Sequence, residues 1–140
     1  MLEGIHPLLT GELLWHLDAM GHSDAVVVAD AHFPAAALGR RTVVLPGTTC
    51  VEVVAAIRTV VPLDDTPALD LMRSADGRTL EVQRQLMEAA GTDADATRFV
   101  DRFEYYDLAR EAFVVVRTGE TRQYGNALLR KGLVAPEPGA

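Results

Sequence analysis

The sequence predicts an α/β fold: one layered domain over residues 1–140, with about six mostly parallel strands flanked by about four helices. Three observations carry that expectation. Short valine-rich runs, each bounded by turn residues, read as buried strands. Stretches with apolar residues three and four apart, several opened by a capping residue, read as amphipathic helices. The two kinds of segment alternate along the chain, which is the pattern of a largely parallel sheet covered by helices.

Taken in order, Met1–Leu9 is a lead-in, with His6 held extended before Pro7. Thr10 is placed to cap a helix. Glu12 complements the helix dipole there, Leu13, Leu14, Leu17 and Met20 share a face, and Gly21 stands where a left-handed C-cap belongs. Ala25–Ala29 is the first strand, and Phe33–Ala37 is a loop or a short helical turn. Thr42–Leu45 is the second strand, closed by Pro46-Gly47. Thr49 and Glu52 make a capping box for a helix to about Val61. Ala68–Met72 is a third strand, and Thr79 opens a helix that Gly91 stops. Thr97–Val100 is a fourth strand, followed by a helix from Asp101 to about Ala112. Phe113–Arg117 and Ala127–Leu129 complete the strands, and the tail from Val134 is expected to fray.

The totals exclude several classes. The apolar fraction of 49% belongs to a chain that folds. A net charge of −7 argues against nucleic acid, whose phosphates require clustered Lys and Arg. One cysteine, Cys50, cannot form an internal disulfide, so a reducing compartment is the simpler expectation. No apolar run approaches membrane-spanning length and no secretory leader pattern is visible, which makes a cytoplasmic protein without a membrane partner the expectation.

Chemistry points first to Gly21–Pro34. Ligands of open α/β sheets bind at the carboxyl ends of strands, and the first strand ends in Asp30-Ala31-His32. Asp30 is a site carboxylate or, in the ordinary reading, a turn cap. His22, at the start of the strand, carries an imidazole, a group that can give or take a proton; by position alone a half-exposed turn histidine is the better reading. Asp30 and His32 also have the spacing of a metal pair, but no second ligand pair follows, so no metal is expected. Arg102 opens a helix after a strand, where the default is a surface arginine. Of the neighbours Tyr105 and Tyr106, one should pack and the other face a cleft. Tyr124-Gly125-Asn126 reads as a turn that presents hydrogen-bonding groups, with the glycine relieving crowding. There is no phosphate-binding glycine loop, nucleophile elbow or dinucleotide fingerprint, and no cofactor is expected.

An ordered set of short matches runs through the chain. It comprises Met1-Leu2, Ile5-x-Pro7-Leu8, Glu12-Leu13-Leu14, Met20-Gly21-His22-x-Asp24 and Asp30-Ala31-His32-Phe33-Pro34. It resumes at Arg102-Phe103-x-Tyr105-Tyr106, Ala112-Phe113, Thr118-Gly119-Glu120 and Tyr124-Gly125-Asn126-x-Leu128-Leu129-x-Lys131-Gly132. No one motif is specific, but the set resembles the fucose mutarotase and ribose pyranase family, and its fucose mutarotase branch in particular. Between Gly39 and Thr97 the likeness is only one of alternating elements. The resemblance implies that His22 is the general acid/base. It implies that Asp30, Arg102, Tyr106 and the Tyr124–Asn126 turn bind the sugar, and that copies assemble into ring-shaped oligomers, typically decamers, with pockets near subunit boundaries. Asp30 would orient His22 or hold sugar hydroxyls. Tyr105 departs from the fucose branch, which has Phe there.

The implied reaction interconverts the α and β anomers of a fucose-like aldopyranose by opening and reclosing the ring. A ribose pyranase and a non-catalytic monosaccharide-binding protein are the alternatives, and a metal hydrolase is a distant fourth.

Overall fold

The computed structural model describes residues 1–65, 67–136 and 138–139. The tail expected to fray, Val134–Ala140, includes Glu137 and Ala140, which lie outside the described residues. Among the described residues one sheet of six strands has the order β2-β5-β1-β6-β3-β4. These are β1 (Ala25–Ala29), β2 (Thr42–Leu45), β3 (Leu69–Met72), β4 (Thr97–Val100), β5 (Val114–Thr118) and β6 (Ala127–Arg130). β1 and β2 both pair parallel with β5, and β3 pairs parallel with β4. β6 alone runs the other way, inserted antiparallel between β1 and β3. β1 is therefore central and buried on both faces, which is why it reads as unbroken Val and Ala rather than as an alternation.

Two helical layers cover the sheet. On one face α1 (Gly11–Ala19), α3 (Cys50–Arg58) and α4 (Glu81–Ala90) pack on Val26, Val28, Val114, Val116, Leu69, Leu71 and Leu129. On the other, the short α2 (Ala35–Leu38) and α5 (Arg102–Glu111) pack on Val27, Ala29, Val115, Met72 and Leu128. The period of two along β1 and β6 sends alternate side chains into the two cores. Among the described residues there are five helices where about four were expected; the additional one is the single turn of α2. No helix among the described residues is long and apolar enough to cross a membrane.

The capping residues read from the sequence act as such at two starts. Thr10 Oγ1 accepts from Leu13 N at 3.2 Å, and Thr49 and Glu52 form the reciprocal box. Three ends differ from expectation. α1 does not stop on a left-handed Gly21; Met20 is extended (φ −64, ψ 135), and the left-handed residue is Ser23, at φ 69. The reason is tertiary. Lys131 Nζ donates to Leu17 O and Met20 O at 2.8 and 2.7 Å, satisfying two of the helix-end carbonyls, and Leu17 O is the one a glycine cap would otherwise satisfy. α4 starts after Leu80 rather than at Thr79, because Gln83 Oε1 takes up the Leu80 N–H at 3.0 Å. Asp101 precedes α5 without capping it; its carboxylate pairs with Arg73 instead.

Candidate functional site

A polar cavity of about 310 Å³ opens at the carboxyl edge of the sheet. It lies beyond the ends of β1, β3 and β4, as the strand-end rule for α/β sheets anticipates. Because β6 is antiparallel, its beginning lies at this same edge. That reversal brings Asn126 to Asp30 across 96 residues of chain.

Asp30 and Asn126 form the floor, and both are buried. Asp30 N donates to Asn126 Oδ1 at 2.8 Å, and Asn126 Nδ2 donates to Asp30 Oδ2 at 3.1 Å. His32 N donates to Asp30 Oδ1 at 2.9 Å. Each carboxylate oxygen thus has one protein donor and retains capacity to accept from a ligand. Burial pushes the Asp30 carboxyl above its ordinary value, and these same donors, with the His32 ring, partly offset the rise.

One wall comes from α5. Arg102 lies in its first turn, and Nε donates to Tyr106 Oη at 2.9 Å, one helical turn on. The guanidinium also lies 5.4 Å from the Tyr106 ring centroid and 5.5 Å from that of Phe103. Tyr106 packs edge-on against Phe33, centroids 5.5 Å apart. The helix period separates the two tyrosines. Tyr106 lines the cavity, while Tyr105 turns inward, fully buried against Phe33 at 6.0 Å.

The opposite wall is the turn before β6, where Gln123, Tyr124 and Asn126 line the cavity. The strained residue is Tyr124, at φ 59. Gly125 lies behind the lining. A Cβ there would stand 3.1 Å from Arg122 O and from Glu120 Cγ, and 3.2 Å from Val82 Cγ2, so the glycine lets the turn press against α4. The crowding anticipated from the sequence is thus present within the turn, at Arg122 O, and extends to α4 through Val82.

The cavity thus gathers Asp30, Arg102, Tyr106, Tyr124 and Asn126, with Gly125 as backing. Four further lining residues were not singled out as sugar contacts: His32, Phe33, Met72 and Gln123. Met72 was within reach of the strand-end rule, since it is the last residue of β3. His32 supports Asp30 through its backbone N–H, and its exposed ring also reaches the cavity.

His22 is not in the cavity. It lies before β1, at the other edge of the sheet, where Nε2 is 3.1 Å from Asp64 Oδ1. Ser23 Oγ donates to Asp64 Oδ2 at 2.7 Å, and Ser23 N donates to Lys131 O at 2.8 Å. The Ser23 hydroxyl, followed by His22, holds the Asp64 carboxyl below its ordinary value. Strand β1, five residues rising roughly 3.3 Å each, separates His22 from Asp30. The idea that Asp30 orients His22 therefore fails within one chain, where the partner of His22 is Asp64.

Comparison with solved structures finds the same fold along nearly the whole chain. The fucose mutarotase of Streptococcus pneumoniae, solved with L-fucose, is 31% identical; the match covers 96% of this chain and 100% of that one, with a TM-score of 0.86. FucU from Bifidobacterium longum is 36% identical over 95% of this chain and 100% of its own, with a TM-score of 0.83. Bacillus subtilis RbsD, solved with D-ribose, shares the fold at 21% identity and a TM-score of 0.76, over 96% of this chain and 100% of its own. The sequence model of one family matches residues 3–134, and with that match the chain belongs to the RbsD / FucU transport protein family.

Proposed function

We propose that this protein is an aldose mutarotase that interconverts the anomers of a fucose-like aldopyranose. The observation that carries the reading is the Asp30–Asn126 lock on the floor of a polar cavity walled by Arg102, Tyr106 and Tyr124. It is a set of fixed acceptors and donors around a small space, suited to the hydroxyls of one sugar ring. The similarity to a fucose mutarotase supports it.

The chemistry needs two proton movements. A proton reaches the ring oxygen as the C1–O5 bond breaks, and one leaves the C1 hydroxyl as the aldehyde forms. Rotation about C1–C2 and the reverse transfers reclose the ring with the other configuration. A group that titrates near neutrality does this best, and His22 takes that role in this reading. Asp30 and Asn126 hold hydroxyls, and Arg102, Tyr106 and Tyr124 fix the ring. No covalent nucleophile is called for.

His22 and Asp30 lie at opposite edges of one sheet, so the reaction requires His22 of a second copy at the cavity of the first. A contact joining one edge to the other edge of the next copy is heterologous, and it closes into a ring when the rotation permits. A ring-shaped homo-oligomer, with ten copies as the implied number, is part of the proposal. The same separation favours one second reading: a copy on its own would hold a sugar without turning it over, as a monosaccharide-binding protein.

The test is exchange NMR of anomer interconversion with L-fucose, D-ribose and other aldoses, on wild type, His22→Ala and Asp30→Asn. Faster exchange with fucose, lost in each variant, supports the mutarotase; a preference for ribose pyranose–furanose exchange transfers the reading to the pyranase. Co-assembling the two inactive variants should restore part of the rate, since some sites then combine an intact His22 with an intact Asp30. Saturable binding with no exchange for any sugar leaves the binding protein.

A further inference from the structure

Helix α4 is outside the cavity, yet it touches the cavity's walls at three points. Gln83, fully buried, is the most informative. Its Nε2 donates to Met72 O at 2.7 Å and approaches Tyr124 O at 3.5 Å, while its Oε1 accepts from Leu80 N at 3.0 Å. Both acceptors of the amide nitrogen belong to residues that line the cavity, one at the end of β3 and one in the turn before β6. A second tie is Arg122. Its Nε and Nη2 grip the Glu120 carboxylate at 3.1 and 3.0 Å, and Nη1 reaches Gln85 Oε1 on α4 at 2.7 Å. Glu120 O in turn accepts from Ala31 N at 2.8 Å, next to Asp30. The third is the close seat of Gly125 on Val82.

The three ties converge on a turn that carries Tyr124 in a left-handed conformation L side chains rarely adopt. Such a conformation persists only where its surroundings over-determine it. The Thr118-Gly119-Glu120 segment, unassigned by the sugar-binding reading, also gains a role, since Glu120 is the post around which Arg122 folds.

We propose that α4 is a brace that sets the Tyr124–Asn126 turn for sugar binding, with Gln83 and Arg122 as positioning residues that touch no substrate. This rests on the sugar pocket of the proposed function. A brace of this kind acts on how well the sugar is held, and only secondarily on the proton transfers.

The test uses Gln83→Met, which keeps length and apolar bulk but cannot donate, and Gln85→Ala, which removes the outer anchor of Arg122 at the surface. Both are assayed in the assembled protein by anomer-exchange kinetics and by NMR titration with the preferred sugar. The expected result is a KM and Kd raised about tenfold in Gln83→Met and about threefold in Gln85→Ala, with kcat within about threefold of wild type. A role confined to folding would lower the melting temperature and leave KM unchanged, and that outcome in both variants overturns the brace. If Gln83→Met does not fold, Gln85→Ala decides, because its side chain is not in the core. Wild type that turns sugar over beside two variants of unaltered KM removes the brace alone. Wild type that neither binds nor interconverts any aldose removes the sugar pocket, and the brace with it.

Discussion

Tyr105→Phe should make this protein more stable. Tyr105 is fully buried, and its hydroxyl has no hydrogen-bond partner among the described residues. Burial holds its ionisation far above the usual range, so the group is a neutral hydroxyl at any ordinary pH. A hydroxyl removed from water without a new partner costs about 1–3 kcal/mol. The ring itself is well placed, edge-on to Phe33 on the α5 face of the sheet, and Phe would keep that contact. Removing only the oxygen should therefore return about 1–2 kcal/mol, the remainder going to the small gap left behind.

Urea melts at matched protein concentration are the assay, since assembly makes apparent stability depend on concentration. With a slope of roughly 2 kcal/mol/M, the midpoint should rise by roughly 0.5–1 M. The melting temperature should rise by roughly 3–8 °C for a chain of this size. Sugar preference should be unchanged, because Tyr105 faces the core and Tyr106 faces the cavity. A loss of about 1 kcal/mol would show that the hydroxyl is paired, for instance to a buried water, and would refute the reasoning. A shift in sugar preference would show that Tyr105 does reach the ligand.

Two carboxyls should respond to pH in opposite senses. Asp30 has a raised folded-state pKa, so the folded protein binds the proton more tightly. Its ionisation weakens the fold as pH rises from the ordinary value of 3.8 through the folded one. Measured against wild type, Asp30→Asn should become relatively more stable across that window as pH rises; the reverse trend in paired melts would refute the assignment. For Glu120, burial alone would raise the pKa, but Arg122 more than reverses it, and the net shift is downward. Its stabilisation is present above 4.5 and is lost as pH falls through the folded value. The deficit of Glu120→Gln should accordingly be larger at pH 7 than at pH 3. Cys50 should be inert in the folded protein. Burial pushes its thiol up to about 12, partly offset by Thr118 Oγ1, 3.2 Å from Sγ. At pH 8 roughly one molecule in ten thousand would carry the reactive thiolate. A thiol reagent should label one equivalent after unfolding and almost none before; prompt labelling of the native protein would contradict the burial.

Legibility followed the range of the interactions. β1, β2 and β4 lie where the sequence places them, and the other strands begin or end within a residue of expectation. Thr10 and Thr49 could be read as caps because a cap is made with residues three positions away. The Gly21 cap could not be judged that way, because the donor that replaces it is Lys131, more than a hundred residues on. Gln83 looked like any polar residue on an amphipathic helix. Only the turn before β6, folded back over α4, makes it the buried link between two cavity walls.

The sequence by itself determined the alternation of strand and helix, the strand end that carries Asp30, and that one of the two adjacent helical tyrosines packs while the other faces a cleft. These follow from periods of two and 3.6 and from residues close in the chain. The tertiary structure alone decided that β6 enters antiparallel beside β1, which seats Asn126 on Asp30. It also decided that His22 lies at the far edge with Asp64. An apolar run states that a strand is buried; it carries no sign of direction or neighbour, because the backbone groups that choose the partner are the same in every residue except proline.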